Sequence, residues 1–355
     1  MRVAYDAGPL LDPPTGVGRY VRELAAALEA TGTELARFAI AWGGEPSDDI
    51  ARLKVPAKLA RWAWRRFDRP HVEKLTGPID LVHATNFVLP ATARPGIVTV
   101  HDLSFFRDDV FPGGHRLREL VPWSVKRSRK VLVPTDAIKA EVVARFAAPE
   151  EKIVVTPEGV SPVFFGATPL SEGALGRLGI PGPFVLAVGT IEPRKNLRRL
   201  LSAWSEVRPS LEGWTLVLAG PRGWGEELPA TPGVVLTGWV GDETLPGLFA
   251  AAEFFCYPSL YEGFGLPPLE AMAAGTPALV GRYSAAPEIL GEAAYLVDPR
   301  DGDALSEGLL ALATDEALRR RLSLAGKARA SGYTWLATAR VTQGAYRDVI
   351  EGGNA

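Results

Sequence analysis

Short continuous apolar runs alternate with stretches of helical period along most of this chain. In the first half Val3–Asp6, Leu35–Ala41, Ile79–His83, Ile97–His101, Val131–Pro134 and Ile153–Pro157 read as buried strands. Between them Arg19–Ala30 carries an apolar stripe through Tyr20, Val21, Leu24 and Leu28, and Leu117–Ser128 and Asp136–Phe146 are helical. The second half repeats the pattern. Phe184–Gly189, Trp214–Gly220, Val234–Leu236, Phe254–Tyr257, Ala278–Gly281 and Ala293–Val297 read as strands. A helix running to Val207, Asp242–Ala251 with Asp242 as its N-cap, Ala304–Thr314 and Glu316–Arg329 read as helices. Unbroken apolar strands separated by helices predict parallel sheets covered on both faces. Pro162–Pro183, rich in glycine and proline, reads as a linker. The chain is thus expected to form two α/β domains, 1–165 and 166–335, followed by a last helix in 336–355. Ligands of such sheets bind at the carboxyl ends of the strands.

Charge narrows the partners. Lysine and arginine number 39 and aspartate and glutamate 41, so bulk electrostatics do not favour nucleic acid. Cys256 is the only cysteine and lies in an apolar run, which predicts a buried thiol in a reducing compartment. Arg2–Asp6 already reads as a strand rather than a leader, and no apolar run is long enough to span a bilayer, so a cytoplasmic protein is expected. One segment is locally basic. Residues 52–69 hold Arg52, Lys54, Lys58, Arg61, Arg65, Arg66 and Arg69, interleaved with Trp62, Trp64 and Phe67. Such a stretch suits a peripheral contact with an anionic membrane or an anionic acceptor. The alternative is a solvated helix face with its aromatics in the core.

Most of the chemistry gathers in Tyr257–Thr276, YPSLYEGFGLPPLEAMAAGT. An apolar strand leads into the turn Gly263-Phe264-Gly265, and Pro267-Pro268 open a helix that Gly275 ends. Glu262 sits on the turn and Glu270 about one helical turn in. The N–H groups of Gly263, Phe264, Gly265 and Leu266, with the helix dipole behind them, suit an anion. A second constellation is GTIEPRKNL, Gly189–Leu197. Arg194 and Lys195 stand just before a helix, where two cations oppose the dipole unless an anion lies between them. Glu192 and Asn196 flank them and orient them. A third is the loop GPLLDPPTGVG, Gly8–Gly18, where Gly16 and Gly18 allow close approach of backbone to ligand. It has neither the dinucleotide nor the P-loop fingerprint. His101 in VTVHDL ends a strand, and is read either as a site residue or as a hydrogen-bonded structural one; for His71, His83 and His115 the structural reading is preferred. Asp48-Asp49 and Asp108-Asp109 lack the D-x-D arrangement of a metal–diphosphate site, so no metal and no cofactor are expected.

The glutamate-x7-glutamate string, the Arg194–Lys195 pair and the TGVGRY loop resemble retaining glycosyltransferases of the GT-B fold, glycosyltransferase family 4, in a mannosyltransferase-like subgroup. The resemblance implies two Rossmann-like parallel-sheet domains facing across a cleft, with the C-terminal helix crossing back onto the first. It implies an acceptor domain and then a donor domain for a nucleotide sugar. Glu270 would hold the ribose, Glu262 and the amides after it would face the sugar and phosphates, and Arg194 and Lys195 would hold the diphosphate. Gly189 would line the donor site, Val240 would meet the base through backbone, Gly16 and Gly18 would close over the diphosphate, and His101 would lie near the transferred sugar. GDP-mannose is the first donor implied and a UDP-sugar the second; the acceptor would be a glycan or lipid-linked glycan. One departure stands out: Thr156–Val160, TPEGV, has Glu158 where the family usually carries asparagine. A non-catalytic nucleotide-sugar-binding partner is the rival reading, separated from an enzyme by turnover. A phosphorylase of the same fold would need a pyridoxal-phosphate lysine that no motif supports.

Overall fold

The computed structural model describes residues 1–11, 15–43, 49–107, 114–225 and 227–352. Residues 12–14 of the first glycine loop, Asp48, the Asp108-Asp109 pair and the last three residues of the expected 336–355 segment lie outside these.

Thirteen strands fall into two sheets among the described residues. The first comprises β1 (Arg2–Asp6), β2 (Glu34–Ile40), β3 (Ala51–Leu53), β4 (Leu81–Ala84), β5 (Gly96–Thr99), β6 (Lys130–Val133) and β7 (Ile153–Val155), in the order β3-β2-β1-β4-β5-β6-β7. The second comprises β8 (Phe184–Val188), β9 (Thr215–Ala219), β10 (Val234–Gly238), β11 (Phe254–Tyr257), β12 (Ala278–Gly281) and β13 (Tyr295–Val297), in the order β10-β9-β8-β11-β12-β13. Every pairing is parallel, as the unbroken apolar runs require. Each sheet reverses its winding once, between β1 and β4 and between β8 and β11, and such a reversal opens a crevice at the strands' carboxyl ends.

The first unit is Met1–Gly159 with Thr334–Ala355. Its helices are α1 (Gly16–Ala30), α2 (Ala57–Phe67), α3 (Glu73–Thr76), α4 (Gly114–Arg127) and α5 (Asp136–Phe146), and the last helix of the chain returns to it. The second unit, Val160–Tyr333, holds α6 (Glu172–Arg177), α7 (Leu197–Val207), α8 (Leu245–Ala251), α9 (Leu266–Ala274), α10 (Ala286–Leu290), α11 (Gly302–Thr314) and α12 (Glu316–Ala330); α13 (Trp335–Glu351) closes the chain. Helix α7 shows why these segments fold as they do. Leu197, Leu200, Leu201, Trp204 and Val207 recur at helical spacing and pack under the second sheet, with Trp204 fully buried.

Several boundaries differ from expectation. The division falls after Gly159 rather than 165, because the turn Pro162–Phe164 packs on the second unit through the Phe164 and Phe249 rings, 5.9 Å apart. It falls again before Thr334, whose side chain caps α13. Pro162–Pro183 is part of the second unit, with α6 capped by Ser171. Asp242 is not the cap of α8: Pro246 must sit in the first turn, and the helix starts at Leu245 behind Thr244. Gly16 and Gly18 lie in the first turn of α1 rather than on a loop, with the Thr15 hydroxyl accepting from the Gly18 N–H at 3.1 Å. The basic stretch divides: Trp64 is buried, while Leu59, Trp62 and Phe67 face solvent. Among the described residues no helix is long and apolar enough to cross a membrane.

A buried polar chain ties α13 to the first sheet. His83 Nδ1 lies 2.7 Å from the Tyr346 hydroxyl and Nε2 2.8 Å from that of Thr99. Burial, with a smaller push from His101, lowers the His83 pKa from 6.5 to about 3, so the folded ring stays neutral. The unfolded chain takes up that proton below about pH 6.5. The contribution is therefore complete above pH 6.5 and lost as pH falls toward 3. Denaturant unfolding of the wild type should lose about 2 kcal/mol from this residue between pH 7 and pH 5. In His83→Gln that part of the slope should vanish; an unchanged slope would contradict a neutral His83.

Candidate active site

The crevice of the second sheet gathers the residues that the sequence singles out there. Strand β11 ends at Tyr257 and β8 at Val188, next to each other at the reversal. From the loop after β8, the turn Pro193–Lys195 brings in both cations, and Asn196 follows in the left-handed region at φ 57°. The Asn196 amide pins this turn by donating to the carbonyls of Pro258 (3.1 Å) and Pro299 (2.6 Å). The Leu260 N–H donates to the Arg194 carbonyl at 2.9 Å and fixes the two loops together.

The anion between the two cations is the protein's own Glu262. Lys195 Nζ donates to Glu262 Oε1 at 2.7 Å and to the Tyr257 hydroxyl at 2.6 Å, and that hydroxyl donates to Oε1 at 2.8 Å. Arg194 Nη1 bonds Glu262 Oε2 and the Tyr261 carbonyl, and Nη2 meets Glu192 at 2.5 Å. Glu262, Glu192 and Lys195 are all buried. Burial alone would raise the Glu262 pKa, but Arg194 and then Lys195 outweigh it and hold it at about 2. Burial lowers the Lys195 pKa against the pull of Glu262, and raises that of Glu192 against the pull of Arg194. The cluster therefore balances two cations against two carboxylates. Lys195 has three N–H donors, of which two are committed, and Oε2 of Glu262 keeps one lone pair open among the contacts described.

Helix α9 begins at Leu266 behind Gly265, whose φ of 102° favours glycine. A Cβ there would also sit 2.1 Å from the Tyr283 hydroxyl. Pro267 and Pro268 have no N–H, so the first turn offers fewer donors than a usual helix start. Among the described residues nothing accepts from the N–H groups of Phe264, Gly265 and Leu266. Glu270, the fifth residue of α9, is buried. Gly189 follows β8 at φ 146°, and a Cβ would lie 3.2 Å from Lys195 Cε, so glycine lets the lysine stem pass. Val240 follows β10 and is half-buried.

The remaining predicted residues belong to the first unit. His101 is buried at the end of the run that holds β5, edge-on to Tyr20 with ring centres 4.7 Å apart. Its Nε2 lies 2.8 Å from the Thr85 carbonyl, which can only accept, so Nε2 carries the proton. Its Nδ1 faces Glu158 at 3.5 Å. Glu158, the departure from the family pattern, is thus the partner of the very histidine singled out. Gly16 and Gly18 stand at the start of α1. The sequence reading missed Tyr257, which joins Lys195 to Glu262. Its only signal was a hydroxyl ending an apolar strand five residues before the glutamate.

Comparison with known proteins gives the family and the fold. The model described as Glycosyltransferase Family 4 matches residues 14–164, and that described as Glycosyl transferases group 1 matches residues 182–315. The O-antigen chain mannosyltransferase B of Escherichia coli is 30% identical over 98% of this chain and 100% of its own length. The MMP alpha-(1->4)-mannosyltransferase of Mycolicibacterium hassiacum is 33% identical over 62% of this chain and 54% of its own. Among solved structures, sucrose-phosphate synthase from Thermosynechococcus elongatus superposes with a TM-score of 0.77 at 20% identity, covering 99% of each chain. Anabaena HepE, solved with UDP and glucose, superposes with a TM-score of 0.76 at 16% identity, over 98% of this chain and 100% of its own. The fold is GT-B. With family models matching in both halves and a full-length relative at this identity, the chain belongs to glycosyltransferase family 4.

Proposed function

We propose that this glycosyltransferase moves a hexose, mannose first, from a nucleoside-diphosphate sugar to a glycan or lipid-linked glycan, with retention of anomeric configuration. The single observation that carries the donor reading is the cluster at the β8/β11 reversal: two fixed cations beside three open backbone N–H groups. That arrangement suits a diphosphate, and its donors need not reorganise as charge develops on the leaving group. In this reading Arg194 and Lys195 turn N–H donors to the diphosphate where a metal ion would otherwise bind, and transfer proceeds in excess chelator. Glu262 holds both cations in place and offers its open lone pair to a sugar hydroxyl. Glu270 accepts from the ribose hydroxyls, and Gly189 and Val240 line the same donor site. GDP-mannose leads because the relatives named above are mannosyltransferases; a UDP-sugar is second.

The reaction is a displacement on one face of the sugar. The bond from the anomeric carbon to the phosphate oxygen breaks, the bond to the acceptor oxygen forms on the same side, and the acceptor proton passes to the departing phosphate. No protein nucleophile is required. Product NMR tests it: starting from an α-linked donor, the new linkage should be α. A β-linked product would overturn the retaining mechanism. Binding of donor without transfer to any saccharide acceptor would favour the non-catalytic partner instead.

A further inference from the structure

The cluster at the β8/β11 reversal is already in charge balance, with Arg194 and Lys195 set against Glu192 and Glu262. Both carboxylates are buried. A nucleoside-diphosphate sugar carries one ionised oxygen on each phosphate and holds no titratable proton there near neutral pH. Its arrival adds negative charge for which the cluster has no spare cation. Uncompensated charge is costly in a buried site, and the ordinary response is for a carboxylate to take up a proton.

The two carboxylates are held very differently. Glu262 accepts hydrogen bonds from Lys195 Nζ, the Tyr257 hydroxyl and Arg194 Nη1, all of which favour its charge. Glu192 Oε1 has Arg194 Nη2 2.5 Å away, yet it accepts no aligned hydrogen bond among the described residues. Burial raises the Glu192 pKa; Arg194 and Lys195 oppose the rise and Glu262 adds to it. Ionised Glu192 therefore depends on Arg194 as its charge partner. When Arg194 turns donors to a phosphate, that partner is shared and the cost of burial prevails. Carboxylates of one cluster in such unequal settings divide into one that keeps its charge and one that gains a proton. The adjoining loop 220–225 brings Arg222, which is turned to solvent and pairs with Glu227 at 3.0 Å. Tyr257 bonds Lys195 and Glu262, and burial raises its pKa, so it stays a neutral phenol.

We propose that Glu192 takes a proton from solvent as the donor's diphosphate binds, so that donor affinity falls as pH rises. The inference rests on the donor reading above and gives that site a residue whose task is to adjust its charge. The neutral carboxyl group no longer competes with the phosphates for Arg194. The test is titration calorimetry of the full chain with GDP-mannose and UDP-glucose, in excess chelator, near pH 7. Buffers of different ionisation enthalpy are compared. The binding enthalpy should vary linearly with that ionisation enthalpy, in the sense of uptake, with a slope of about half a proton or more per donor. From about pH 6 to pH 8 the Kd should rise, by at most about tenfold per unit. In Glu192→Gln the dependence on buffer and on pH should both disappear, which a merely structural role for Glu192 would not produce. Binding without proton uptake, or uptake that persists in Glu192→Gln, would overturn the inference and leave the donor reading standing. If Glu192→Gln does not fold, the wild type still decides, since enthalpies independent of buffer overturn the inference alone. Absence of binding by both nucleotide sugars would strike the donor reading itself, and this inference with it.

Discussion

Lys195→Met should lower kcat by about 100- to 1,000-fold, the loss seen when one preorganised donor to a developing anion is removed. The methionine keeps the stem's volume and removes only the charge and its hydrogen bonds. The KM for donor should change far less, because the charge on the leaving phosphate grows mainly in the transition state. The same variant should lose stability, since Glu262 then stays buried and ionised with Arg194 and Tyr257 but without its ammonium. A second change separates the two roles. In Lys195→Met/Glu262→Gln the uncompensated charge is gone, so the melting temperature should recover while turnover stays low. Recovery of both would mean that Lys195 and Glu262 serve only the fold.

Glu270 should behave in the opposite way. If its carboxylate accepts from two ribose hydroxyls, Glu270→Ala removes hydrogen bonds to a charged group, each contributing about 1.5–3 kcal/mol. The donor KM should rise by more than about 100-fold with kcat within a factor of a few, the signature of an interaction equally strong in ground and transition states. Steady-state kinetics with varied donor distinguishes this from the Lys195 result. A large loss in kcat at unchanged KM would place Glu270 at the reacting bond instead of the ribose.

The parts that could be read from the sequence are those whose signals are local. Strands β11 and β12 and helix α5 match their expected ends because short apolar runs, a capping threonine and flanking prolines mark them without reference to the rest of the chain. Helix α1 starts earlier than expected because two glycines in three residues suggest a loop, whereas Thr15 caps the turn that contains Gly16 and Gly18. Helix α10, with a proline near its start and only 5 residues long, has too little period to detect. In the site, the types and order of Arg194, Lys195, Glu262 and Glu270 were legible. Their mutual arrangement was not. That Glu262 neutralises both cations depends on a contact across 67 residues of chain, and the junction is made by Tyr257. The pairing of His101 with Glu158 is also long-range, and the sequence shows only a carboxylate where the resembled family usually carries asparagine. The two tryptophans of α2 looked alike until packing sent Trp64 inward and left Trp62 outside.

The central claim is that the β8/β11 crevice holds a nucleoside-diphosphate sugar without a metal ion. Thermal unfolding in excess chelator, with GDP-mannose, UDP-glucose, ADP-glucose and dTDP-glucose in turn, tests it most directly. A donor at 100 times its Kd should stabilise the second unit by about 2.7 kcal/mol. One nucleotide class, GDP first, should raise the melting temperature of the wild type and fail to do so in Glu270→Ala. If no nucleotide sugar stabilises the protein, or if Glu270→Ala responds as the wild type does, the crevice is scaffold and the donor site lies elsewhere.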